Sequence, residues 1–127
     1  MEHPSHRGPS DWGSVTAEYA VLLPAAAVVL AGALLAGAAT LQQLRLEEAA
    51  AASVRELARG ESEATATDTV RHLAGTGARL SSARTAGWVS VTVGHEPPGP
   101  LAWWDGWQLE ATAHAPDQWV TPPAGTR

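Results

Sequence analysis

Between Ala20 and Leu41 the chain reads AVLLPAAAVVLAGALLAGAATL, 22 residues without a formal charge. As a helix this run is roughly 33 Å long, enough to cross the hydrocarbon core of a bilayer. A helix apolar on every face needs either lipid or a thick protein shell around it. Only 86 residues follow Leu41, too few to enclose such a helix and also build a core of their own. The run therefore predicts a single membrane-spanning segment, with the lipid bilayer as a partner. Pro24 lies inside it and removes one backbone hydrogen bond, which predicts a helix kink near Ala20. Bilayer helices tolerate such a residue.

The helical pattern continues past the apolar run through QQLRLEEAAAASVRELARG. Leu46, Ala50, Val54 and Leu57 share one face, and Arg45, Glu48, Arg55 and Glu56 fall largely elsewhere. Gly60 is the expected stop, with Arg55 and Arg59 placed to favour a helix C-terminus. Residues 14–60 are thus expected to form one long helix, half in lipid at 20–41 and half outside. A second, shorter helix is predicted at about Ala64–Ala74, with Ala66, Val70, Leu73 and Ala74 on one face and Gly75 after its end.

Beyond Gly75 the period changes to two. Val89, Val91 and Val93 alternate with Ser90 and Thr92, and Trp107, Leu109, Ala111 and Ala113 alternate with Gln108, Glu110 and Thr112. Two half-buried antiparallel strands are predicted, with Ala78–Arg84 as a weaker third. The intervening Pro97, Pro98, Gly99 and Pro100 predict an irregular loop of about ten residues. The tail at 116–127 is expected to fray. The fold class is α+β: a long N-terminal helix, half transmembrane, with a second short helix and a small antiparallel sheet of two or three strands, the domain beyond the long helix occupying 61–115.

Several function classes are excluded by composition. A net charge of −5 and a pI near 5.4 leave no basic surface for phosphates, so no nucleic acid partner is expected. Without cysteine there is no disulfide, thiolate metal site or cysteine nucleophile. Of His3, His6, His72, His95 and His114, only His3 and His6 have a ligand-like spacing, and they precede the apolar run. No phosphate loop, paired-carboxylate pattern or Ser-His-Asp order is present. No metal or cofactor is expected. A weak site from His95 and His114 meeting across the two strands, near Glu110, is the one enzyme-like alternative.

The polar, Pro-, Gly- and His-rich segment 1–13 has no structural pattern of its own. It ends in D-W-G-S-V-T-A-E-Y at Asp11–Tyr19, directly before the apolar run. This arrangement resembles the class III leader of type IV-like pilins. The resemblance implies cleavage by a prepilin peptidase between Gly13 and Ser14, with the apolar helix retained. A glycine at the scissile position lets extended backbone approach a protease closely. Glu18 then stands fifth in the mature chain, followed by Tyr19, and the resemblance implies that its carboxylate pairs with the new N-terminal amine of Ser14 on a neighbouring subunit. A carboxylate at a lipid-bound helix costs a few kcal/mol unless paired, which gives that pairing a physical basis.

More narrowly, S-V-T-A-E-Y-A-V-L-L-P followed by an Ala-rich stretch ending L-A-R-G-E resembles the TadE-like minor pilins of tight-adherence (Flp) pilus systems, notably their actinobacterial branch. The similarity covers Gly13–Glu61; where an Arg-rich turn is common in the family, this chain has Ala49–Ala52. It implies a non-enzymatic minor pilin or pseudopilin whose partners are the peptidase, other pilin subunits and the pilus assembly platform. It also implies a single-pass protein of the cytoplasmic membrane, N-terminus cytoplasmic before cleavage and C-terminal domain extracytoplasmic, entering surface pili. The basic-residue count points the other way, with Arg7 before the run and Arg45, Arg55 and Arg59 after it. Orientation here follows the leader motif.

An ordinary secretory signal is the rival layout, since Ala36-Gly37-Ala38 fits a small-x-small cleavage site that would release the chain from Ala39 as a binding protein. Trp103, Trp104 and Trp107 form the most unusual cluster outside the leader. Trp107 is expected to anchor the strands against the Val54–Leu57 face. Trp103 and Trp104 belong to the loop, where the readings are anchoring or contact with a partner.

Overall fold

The structure, a computed structural model, describes residues 1–2, 12–96, 99–103 and 108–119. In chain order they form a long helix α1 (Trp12–Ala58), a helix α2 (Glu63–Ala74), strands β1 (Arg79–Thr85) and β2 (Trp88–His95), a 3₁₀ turn (Gly99–Trp103) and a strand β3 (Leu109–Pro116). The architecture is α+β, as the patterning predicts. Two compact units divide at Leu34 and Leu35, both containing part of α1. The second unit thus begins within α1, well before residue 61.

In the first unit, Gly13 to Leu34 is helical and exposed throughout. The helix is unbroken at Pro24, whose missing N–H leaves the Ala20 carbonyl without its usual partner one turn on. α1 contains a stretch long and apolar enough to cross a membrane, and none of that stretch is buried.

The second unit has one hydrophobic core. Leu46, Ala49, Ala50, Val54 and Leu57 of α1 meet Ala66, Val70 and Ala74 of α2 and Val89, Val91, Val93 and Ala111 of the sheet. These α1 positions recur at three- and four-residue steps, so one stripe of the helix is covered while Arg45, Glu47, Glu48 and Arg55 stay in solvent. Glu56 departs from the expectation that it lies outside: it is half-buried, and Thr69 Oγ1 donates to its Oε1 at 2.9 Å.

Local chemistry defines the helix ends. After Ala58 the chain makes a Schellman closure, with Gly60 N–H donating to Leu57 O at 3.0 Å and Glu61 N–H to Glu56 O at 3.1 Å. Gly60 has φ of +84°, in the left-handed region. A Cβ there would also collide with the Trp119 indole. α2 starts at Ser62, whose Oγ accepts from Thr65 N–H at 3.2 Å. It stops at Gly75, with φ of +100°.

The sheet order is β1-β2-β3, both pairs antiparallel. All three strands are full partners, so Arg79–Thr85 is an edge strand and β2 the centre. Val89, Val91 and Val93 face the helices; Ser90 and Thr92 face away, and Thr92 and Thr112 share a hydroxyl hydrogen bond of 3.0 Å. β3 begins at Leu109, two positions later than the alternation suggests, and Trp107 with its expected packing lies outside the described residues. The proline-rich connection is not wholly irregular either. It contains the 3₁₀ turn, which accepts Pro100 near its start because no N–H is needed there.

The residues directly after Pro116 have partners in the second unit. Asp117 N–H donates to Gly87 O at 2.8 Å, Gln118 N–H to Ala58 O at 3.3 Å, and Asp117 pairs with Arg84 at 3.2 Å. Residues 120–127 lie outside the described residues.

Ala86 and Gly87 join β1 to β2 with φ of 49° and 81°, positive at both central positions as a type I′ turn requires. Alanine is a poor residue for that conformation, which asparagine adopts readily. Ala86→Asn should therefore stabilise the fold by about 0.5–1 kcal/mol. The check is the thermal unfolding midpoint, which should rise; a fall would contradict the turn assignment.

Candidate functional site

α1 begins at Trp12, so the Gly13–Ser14 bond lies in its first helical turn. The backbone at Gly13 is helical in this structure, whereas the expectation of extended backbone concerned the chain in a protease site. First-turn N–H groups have no intrahelical acceptors, so a helix opens most easily there. A Cβ added to Gly13 meets nothing within 4 Å. Any requirement for glycine at this position would therefore come from a bound enzyme, not from this fold. Residues 3–11 of the expected leader lie outside the described residues.

Ser14, Ala17, Glu18, Val21 and Leu22 line one shallow groove along the helix. Their spacing of three and four residues is what puts them on one face. Glu18 is exposed on that face, and from Gly13 to Leu44 it is the single formally charged side chain in the sequence. Ser14 sits one helical turn before it. A new amine at Ser14 would thus lie within reach of its own Glu18 as well as of one on a neighbouring helix. Tyr19 is 61% exposed on the adjoining face.

The two histidines do not come together. Strand register pairs His95 with Leu109 and His114 with Ser90. His95 continues the inward series of Val89, Val91 and Val93, whereas His114 lies on the outward face with Ser90, so the sheet separates them. His95 instead packs beside the turn after α2, where a Cβ on Gly77 would be 3.1 Å from its Nε2. A depression of about 330 Å³ near Gly94 is lined by Arg79, His95, Glu96 and Glu110 among others. No group of three or more His, Asp or Glu residues placed to hold a metal occurs among the described residues.

Trp103 is 91% exposed on the 3₁₀ turn. Trp104 lies outside the described residues. Sequence reading passed over Gln42 and Gln43, the first polar side chains after the apolar run. Gln42 Nε2 donates to Ala74 O at the end of α2, and Gln43 Nε2 to Glu110 O on β3, both at 2.9 Å. The chain matches no protein-family model, and no curated protein or solved structure is significantly similar to it.

Proposed function

We propose that this chain is a membrane-held structural subunit, a minor pilin or pseudopilin of the TadE-like kind. The observation that carries the reading is the lone carboxylate of Glu18, exposed one turn from Ser14 at the start of an exposed apolar helix. A charge in that position is expensive in lipid unless a cation meets it. Cleavage after Gly13 creates that cation as the α-amino group of Ser14. On assembly the amine meets the Glu18 of the next subunit, setting the axial register of packed helices. The apolar faces supply the bulk of the attraction, and the C-terminal unit is carried outside the bilayer.

His95 and His114 lie on opposite sheet faces, so the two do not form a joint site across the strands. Sequencing the N-terminus of the membrane-associated protein, expressed beside a prepilin peptidase, tests the proposal. Ser14 should be the first residue. A chain starting at Ala39 would replace the pilin reading with secretion, and a retained Met1 in the presence of active peptidase would remove it.

A further inference from the structure

α1 is exposed from Gly13 through Leu34 and first becomes half-covered at Leu35 and Ala39. The cover at Leu35 comes from far along the chain. A Cβ on Gly99 would lie 3.7 Å from Leu35 Cδ2, so the 3₁₀ turn Gly99–Trp103 runs beside the helix at that level. Leu35 is six residues before Leu41, where the apolar run gives way to Gln42 and Gln43, a distance of roughly 9 Å along the axis. Over that distance the helix cannot face both lipid and this turn, because non-helical main chain exposed to lipid is not tolerated in the hydrocarbon core.

We infer that the membrane boundary on the side of the C-terminal unit falls at Leu35, and that the turn Gly99–Trp103 rests in the lipid headgroup layer with Trp103 as its anchor. This rests on the membrane insertion of α1 proposed above. An indole exposed at 91% is poorly placed in water, whereas the headgroup layer takes its apolar ring and its N–H together. The remaining exposed stretch is sufficient to span: Val15–Leu34 is 20 residues, or about 30 Å. Glu18 then falls inside the span, not at its edge, and pairing with the Ser14 amine becomes correspondingly more important.

The absence of cysteine makes the test direct. Ala102→Cys in the full chain, labelled with nitrobenzoxadiazole, is reconstituted in phosphatidylcholine vesicles carrying a nitroxide quencher either near the headgroup or at the acyl-chain end. The Ala102 label should lose most of its emission to the shallow quencher and little to the deep one. A Val28→Cys label should respond mainly to the deep quencher, and a Thr85→Cys label to neither. If Val28 is quenched and Ala102 is not, insertion stands and the inference falls. If Val28 also escapes, the membrane reading itself falls. Deep quenching of Ala102 equal to that of Val28 would overturn the boundary at Leu35. Adding Trp103→Ser should lower the shallow quenching several-fold; unchanged quenching would remove Trp103 as the anchor.

Discussion

Glu18→Ala should leave cleavage after Gly13 intact while lowering the amount of this subunit in sheared surface fibres by roughly tenfold or more. Two effects act in the same direction. Removing the carboxylate relieves its cost in lipid, at most about 2–3 kcal/mol, the figure for a charge at the bilayer centre, so the membrane-held state gains. It also leaves the Ser14 amine without an anion in the assembled state, so that state loses. Each 1.4 kcal/mol of difference is about a factor of ten in partition. Glu18→Gln separates charge from size, since it keeps the shape and hydrogen bonding but cannot neutralise an amine; it should behave like alanine in fibres. Quantifying the subunit in membrane and fibre fractions by immunoblot checks both variants. Unchanged incorporation of Glu18→Ala would end the pairing argument, and failure of cleavage would place Glu18 in peptidase recognition instead.

Leu46→Ala should cost about 2–5 kcal/mol, because a large buried side chain is replaced by a cavity that neighbours fill only in part. Leu46 is fully buried, and the core around it is built mainly of alanine and valine. Such small side chains have little reach with which to close a gap. Against a total stability of about 5–15 kcal/mol for an ordinary domain, that loss is large. Leu44, two residues earlier, is 55% exposed, and Leu44→Ala should shift stability by less than about 0.5 kcal/mol. Hydrogen exchange at the β2 amides would read the difference: protection should collapse for Leu46→Ala and persist for Leu44→Ala. Similar protection in both would mean that the core is not organised around this side chain.

Elements with strong periodicity were legible before any coordinates. The continuation of the long helix past the apolar run, the face of α2 and the alternation of Val89, Val91 and Val93 all follow from spacing alone. β1 was weaker because its one large apolar residue, Leu80, gives no alternation to count; it exists through main-chain pairing with β2, which composition does not encode. The helix start at Trp12 was missed by two residues because the start was placed at Ser14, after the implied cleavage point, although Ser10 and Asp11 before Trp12 are residue types that favour a helix N-terminus. The separation of His95 and His114 follows from strand parity, which the alternation already carried: His95 continues the series Val89, Val91, Val93, and His114 continues the outward series Gln108, Glu110, Thr112. Gly13, Ser14 and Glu18 were readable as a pattern, and the coordinates add that Ser14 and Glu18 share one face. Gln42 and Gln43 were not readable as site residues because an exposed glutamine on a helix ordinarily faces water; their acceptors lie 32 and 67 residues away.

Those two amides also bear on how the subunit would carry a mechanical load. Gln42 and Gln43 tie one end of the core segment of α1 to α2 and β3. At the other end Arg84 Nη2 donates to Leu57 O at 3.2 Å and Gln118 N–H to Ala58 O at 3.3 Å. A pull along the helix axis therefore meets both sets of bonds and the apolar contacts between them at once, in shear, instead of peeling them apart in turn. Traction on the N-terminal side of that segment of α1 would be shared across the whole sheet, and the domain would follow its helix without unravelling from one edge.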